Sequence, residues 1–497
     1  MSEEKKSNHE NIPDWEPPPL DPANLSEEEK QEIYDFVRGR IYAKSVKGHF
    51  HTWRVIFVYF TQIIFFGLPW LEWNDRQAFL LDLGSRKFYI FGLVLWPQDI
   101  FYMALILIIS AYGLFLFTAL MGRLFCGYAC PQTVYTEIFM WIERQIEGDR
   151  SARMRLDQSP WNFNKIFRKG LKHACYIIFA LAAGFTLVGY FVPIRGLGHE
   201  LLSGSFSPWE WFWFLFYAFM MWGHAGILRE AVCKYMCPYA RFQSVMVDSD
   251  TMVVTYDRPR GEPRGGRSRK VNPAEAGLGD CIDCKICVNV CPTGIDIRKG
   301  LQYMCIGCGA CIDGCNEVMD KMGYKRGLIR YTSENAMIKG LSRKQAIKDL
   351  FKIRTCVYLA LLLILVTGLI VSLATRSTLR LDVYKDRGVL GRLGPNETAE
   401  NVYRIQIINM TEEPRTFTLS TQSDDVKDST IQLSQKEGGR SVQVDSFGSV
   451  WVPVTVRAPL SDNKQGNHNI YIKAESDEAG KTPLSTEVET VFFVPDL

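Results

Sequence analysis

Five apolar runs set the plan of the chain. They cover residues 55–71, 100–122, 174–194, 211–228 and 355–375, and runs of about 20 residues match the hydrocarbon thickness of a bilayer. Each therefore predicts a membrane-spanning helix. Residues 88–98 form an apolar approach to the second run and are read as an interfacial segment or one arm of a bent helix. Trp70, Trp73, Trp96, Trp209, Trp211 and Trp213 fall near the predicted membrane faces, where an aromatic belt belongs. Beyond residue 384 the period changes from helical to alternating. Residues 402–408, 416–419, 431–433, 442–444, 450–456, 470–472 and 488–494 predict about seven short strands divided by turn residues, the pattern of a two-sheet, immunoglobulin-like sandwich over 384–497.

Charge gives the runs a direction. Arg38, Arg40, Lys44, Lys47 and Arg54 precede the first run, and a dense set from Arg123 to Lys172 follows the second, whereas the loop after the third carries only Arg195. Positive charge stays on the cytoplasmic side. The amino terminus and the long insert before the fifth run are thus expected in the cytoplasm, and everything after 376 on the opposite side. Residues 1–37 read as a polar tail with Pro17, Pro18 and Pro19 in a row, a short helix capped by Ser26, and no apolar core of a targeting helix. Four spans then fill 38–240. Residues 241–272 read as a flexible basic linker rich in Arg258, Arg260, Arg264, Arg267, Arg269 and Lys270. Residues 326–354 read as a second linker that ends in a helix over 341–354 lying along the membrane surface.

Composition narrows the chemistry. The net charge of +3 is too small to imply an acidic partner, and no aromatic platform accompanies the basic runs, so nucleic acid is not expected. All 14 cysteines lie between 126 and 356, which fits a reducing compartment better than a disulfide scaffold. Eight of them define a module over 273–325. Cys281, Cys284, Cys287 and Cys291, then Cys305, Cys308, Cys311 and Cys315, each have the spacing C-x2-C-x2-C-x3-C of a bacterial two-cluster ferredoxin. In that arrangement the fourth cysteine of each run serves the other cluster. One 4Fe-4S set is then Cys281, Cys284, Cys287 and Cys315, and the other Cys305, Cys308, Cys311 and Cys291. Structural zinc would use two separated CxxC pairs and leaves the repeated third and fourth cysteines without a purpose. Asn316 stands where a second proline is usual.

A second motif recurs. Cys126-Gly-Tyr-Ala-Cys130-Pro131 follows the second run and Cys233-Lys-Tyr-Met-Cys237-Pro238 follows the fourth, as if spans one to four were a duplicated two-helix unit of parallel orientation. Cysteines four apart share one face of a helix. If the repeats pack about a pseudo-two-fold axis, the four thiols converge on a site able to bind Cu(I), to cycle as dithiol and disulfide, or to hold another redox group. Simple close packing of helices is the plainer alternative. His173 and His224 are weaker metal candidates, more simply read as an interfacial residue and a hydrogen-bonded bundle residue.

The two C-x-Y-x-C-P motifs, the double cluster motif and the sandwich tail, in this order, resemble the cytochrome oxidase accessory family CcoG, also called FixG or RdxA, over nearly the whole chain. Membrane ferredoxins related to NapH share the first two features but generally lack the tail. The resemblance implies a bacterial inner-membrane protein that helps assemble C-type haem-copper oxidase by reducing Cu(II) to Cu(I). It assigns Cys126, Cys130, Cys233 and Cys237 to a copper or redox site. The resemblance implies a copper exporter, chaperone or oxidase subunit as partner, and the electron source is expected to be a cytoplasmic donor or membrane quinol. Two other readings stay open: a quinol-linked ferredoxin that donates to another protein, and a non-enzymatic assembly scaffold.

Overall fold

A computed structural model describes residues 41–271, 277–341, 343–385, 391–395, 397–423, 425–433, 439–461, 463–476, 478 and 482–495. The expected amino-terminal tail lies outside them. Among the described residues five helices are long and apolar enough to span a membrane: His49–Trp70, Pro97–Met121, Phe163–Val188, Pro208–Leu228 and Ile353–Ala374. The third starts well before its apolar run because its polar first turns are satisfied. Lys165 Nζ donates to the Asp157 and Ser159 carbonyls, Lys169 pairs with Glu147 at 3.0 Å, and Lys172 pairs with Glu147 at 2.8 Å. Chain contacts divide the protein into two units, one holding residues to 61, 117–182 and 216–350, the other 62–116, 183–215 and 351–497.

In the first unit the ferredoxin module is wider than its cysteines suggest. Val253–Tyr256 pairs antiparallel with Ile329–Thr332, and between them lie the short helices Ile286–Asn289 and Ala310–Met322. The residues expected to be flexible linker thus supply one strand each. Nor does the basic stretch swing free. Arg260 pairs with Asp280 at 2.5 Å, and Arg267 donates to the Gly279 carbonyl at 2.6 Å, so the guanidinium groups strap the stretch to the module. The single surface helix expected over 341–354 is broken: Arg343–Asp349 is helical, Lys352 is extended at ψ 166°, and the last span begins at Ile353.

Among the described residues of the second unit nine strands build the sandwich: β1 Leu379–Lys385, β2 Arg392–Gly394, β3 Thr398–Asn409, β4 Arg415–Gln422, β5 Thr430–Leu433, β6 Ser441–Val444, β7 Ser449–Pro459, β8 Gly466–Ser476 and β9 Leu484–Val494. One sheet runs β5-β7-β3-β1 with β2 added to β3; the other runs β6-β4-β8-β9. Alternate residues, among them Tyr403, Ile405, Phe417, Val454, Ile472 and Phe492, point inward and are fully buried between the sheets. The approach to the second span is not a helical arm. It belongs to a three-stranded meander, Phe79–Asp82, Lys87–Ile90 and Leu93–Leu95, whose first turn Asp82 closes by accepting from the Gly84 and Ser85 N–H groups. Val94 and Trp96 pack on Ile408, and Lys87 Nζ donates to the Phe447 carbonyl at 2.8 Å, so this loop docks on the sandwich.

Candidate redox site

Backbone geometry explains how the duplicated motif is held. In the first repeat the span ends at Gly122, whose φ of +56° turns the chain into the short helix Leu124–Tyr128. In the second, Arg229 takes the equivalent place four residues before its cysteine, with φ +47°, and is flanked by π-helical turns at Trp222–Leu228 and Val232–Met236. A left-handed arginine is costly. Its charge is anchored to Glu143 at 3.0 Å and its Nε to the Gly226 carbonyl at 3.2 Å, which offsets that cost. Cys126 and Cys233 lie inside these turns. Cys130 and Cys237 are extended N-caps of the helices Pro131–Glu147 and Pro238–Met246, each with proline at the first helical position. The paired cysteines therefore do not share one continuous helix. Instead the second of each pair stands at a helix amino terminus.

The repeats brace each other reciprocally. Gln132, just after the first motif, donates to the His224 and Arg229 carbonyls at 3.0 and 3.1 Å, adding a second donor to each. Its counterpart Tyr239 contacts the Thr118 hydroxyl at 2.5 Å, and Gln243, fully buried, donates to the same oxygen at 3.4 Å. The Cys126 thiol donates to Gln243 Oε1 at 3.3 Å. This exchange brings the four cysteines into one neighbourhood. Burial, then Cys130, pushes the Cys126 thiol up to about 11; burial, then Cys130, Cys126 and Cys237, pushes Cys233 up to about 12. Burial also raises Cys130, against the Gln132 and Thr133 N–H groups that pull it down. Among the described residues no three His, Cys, Asp or Glu side chains close tightly around a single ion, so one ion at the four thiols requires them to draw together. His173 Nδ1 accepts from the Trp222 indole at 3.3 Å, and the His224 backbone carbonyl accepts from Gln132 at 3.0 Å.

The eight remaining motif cysteines fall into two chambers. Cys281, Cys284, Cys287 and Cys315 line one; Cys291, Cys305, Cys308 and Cys311 line the other, which Cys287 also reaches. This is the crosswise grouping expected from the spacing. In the first chamber burial, then Cys287, Cys284 and Cys281, pushes Cys315 up to about 12; in the second burial, then Cys308, Cys305, Cys291 and Cys287, holds Cys311 well above its ordinary value. Four soft donors crowded in an apolar chamber are held as neutral thiols that a cationic iron-sulfur cube would turn into thiolate ligands, so the residues fit the cofactor. Gly307, at φ +65°, turns its N–H toward Cys305 Sγ at 3.4 Å, the kind of bond that tunes a cluster.

The first motif is packed against the second chamber. A Cβ on Gly127 would lie 2.8 Å from the Ile306 oxygen and 2.9 Å from Cys308 Cα, so only glycine permits the approach. Tyr128 donates to the Cys308 carbonyl at 3.3 Å. On the other repeat, a cavity of about 30 Å³ joins Cys233 to Pro292 and Ile306 of the cluster loops, with Gln132, Thr133 and Glu230 around it. Sequence reasoning found the cysteines and missed Gly127, Gln132, Tyr239 and Gln243. The equivalent positions of Gln132 and Tyr239, each just after a motif proline, were the available signal.

Spanning helices, two cluster chambers and an all-β tail define a membrane-bound iron-sulfur electron-transfer protein of the ferredoxin class. Residues 103–147 match a 4Fe-4S binding domain, 228–334 a 4Fe-4S dicluster domain, and 369–495 the Ig-like fold at the C-terminus of FixG. The chain belongs to the FixG/RdxA family, which is also that of CcoG. It is 37% identical to the nitrogen fixation protein FixG of Rhizobium meliloti over 78% of this chain and 79% of that one. It is 36% identical to protein RdxA of Cereibacter sphaeroides over 89% and 94%. A crystal structure of a FixG-related protein from Vibrio parahaemolyticus aligns with 24% of this chain and 97% of its own, at 18% identity and a TM-score of 0.20.

Proposed function

We propose that the protein is a cupric reductase that supplies Cu(I) for the assembly of a C-type haem-copper oxidase. One observation carries the reading: four thiols from the two repeats share a neighbourhood, and the Gly127 backbone lies against the loop that bears Cys308. The clusters supply one-electron transfer when bound. Cys126, Cys130, Cys233 and Cys237 bind the copper substrate, and their softness favours the cuprous product over the cupric reactant. Gln243 orients Cys126, and Gln132 fixes the turn from which Cys233 projects. Each cupric ion takes one electron. The thiols release their protons as the metal binds. The redox unit faces the cytoplasm of a bacterial inner membrane, following the positive-inside distribution of Arg123 to Lys172. The sandwich stands in the periplasm, where an oxidase subunit or copper chaperone docks.

Changing Cys233 to serine tests this. Cupric reduction should fall by more than about 100-fold, beyond what loss of an outer-shell partner costs, while the iron-sulfur absorption stays intact. Wild-type rates in that variant, with copper still bound, would refute the assignment.

A further inference from the structure

The roomiest cavity described in the redox unit is not among the cysteine chambers. It measures about 220 Å³, against about 20 Å³ in each cluster chamber. One end is Met121, the last residue of the second span; the other is Cys305 and Gly307, a ligand of the second cluster and its turn. Val247, Val253 and Val254 make an apolar wall. The polar lining is confined to a few groups. Arg123 is tied to the Ala240 carbonyl, and Tyr331 to the Gly307 carbonyl. Gln302 spends its amide N–H on the Asp296 carbonyl at 2.8 Å, which leaves Oε1 as an acceptor. Tyr303 and Leu301, both about half exposed, form the mouth.

An occupant of this space must be apolar enough to reach it from the bilayer edge and must present oxygens to Gln302, Tyr303 and Arg123. Because it would sit against a cluster ligand, it is expected to exchange electrons. The geometry points to the headgroup of a membrane quinol, bound between Met121 and Cys305, as the electron donor. Oxidation to the quinone releases two electrons and two protons. The clusters that the eight cysteines from Cys281 to Cys315 would hold would supply the acceptor chemistry, one electron each, and the protons would pass to water at the Tyr303 mouth. A pair of one-electron acceptors would match a two-electron donor, and two cupric ions would take up the two electrons. The inference rests on the cluster assignment and on the copper reading above. Cupric reduction by wild-type protein that has been reduced with dithionite and then freed of it tests that copper reading separately, since it bypasses the donor.

The test uses the full chain in lipid nanodiscs and an azido-benzoquinone as photoprobe. Labelling of the peptide containing Leu301 and Tyr303, suppressed by excess unlabelled decylbenzoquinone, is expected. Leu301→Trp, at an exposed position, should narrow the mouth and weaken decylbenzoquinone binding at least about tenfold, with iron and acid-labile sulfide unchanged. Labelling confined to another peptide, or wild-type affinity in a cluster-loaded Leu301→Trp protein, would overturn the proposal. So would the absence of quinone binding with rapid reduction by a soluble flavoprotein, which would move electron entry to the exposed Cys284.

Discussion

At the scale of single residues, Gly127 separates a functional contact from a merely permissive one. Its counterpart in the second motif is Lys234, so the repeat itself does not require glycine there; the approach to Ile306 and Cys308 does. Gly127→Ala should force the cluster loop to shift, at a cost of about 1–3 kcal/mol, and should slow the passage of electrons from cluster to copper. Gly170→Ala, with open space around its Cβ, is the control and should do neither. Stopped-flow bleaching of reduced clusters by cupric ion reads the rate, and thermal unfolding reads the stability. Gln243→Leu removes the acceptor that holds Cys126 and should weaken copper binding by about 10- to 100-fold, as outer-shell losses do, measured by competition with a cuprous chelator. The cysteines were legible because ligand chemistry demands fixed spacing. Gly127 and Gln243 were not, because their meaning comes from atoms more than a hundred residues away.

At the scale of elements, the helix Pro131–Glu147 is the keystone of the redox unit, because its carboxylates hold cations from several segments. Glu143 meets Arg153 at 2.8 Å, Arg229 at 3.0 Å and Lys172 at 3.4 Å while almost fully buried. Burial alone would raise this carboxyl, but Arg229, with Lys172 and Arg153, overrides it and holds it at about 2, from an ordinary 4.5. A depressed carboxyl stabilises the fold above its unfolded pKa and loses that contribution as pH falls toward its folded one. The share amounts to about 3 kcal/mol and should disappear between about pH 5 and pH 2. Glu143→Gln should cost about 3–5 kcal/mol at neutral pH by leaving buried cations uncompensated, and should flatten the acid limb of the unfolding midpoint against pH. An unchanged midpoint would show that the network carries no stability. Elements this long announce themselves by periodicity. The four-residue strands of the ferredoxin module and the meander at 79–95 were hidden, the first among arginines, glycines and prolines, the second beside apolar residues continuous with a span. The π-turns had no signature, since shifting a hydrogen bond by one residue changes no residue type.

At the scale of the whole molecule, the duplication explains why one chain carries two motifs that differ in detail. The first repeat presents its cysteines to the cluster loop through Gly127, and the second supplies Gln243, the acceptor that Cys126 needs. Neither half builds the site alone. The sandwich was legible as about seven alternating stretches; β1 and β2 were missed, since β1 follows the last span almost at once and β2 is three residues long. The central claim is that electrons held by the chain's own clusters reduce copper at the four thiols. Electron paramagnetic resonance of anaerobically reduced, dye-free protein during titration with cupric ion tests it most directly. The account predicts that the cluster signals and the cupric signal vanish together, one electron per ion, and that Cys126→Ser and Cys233→Ser proteins keep both signals. A cupric signal that persists beside fully reduced clusters in the wild-type protein would contradict it.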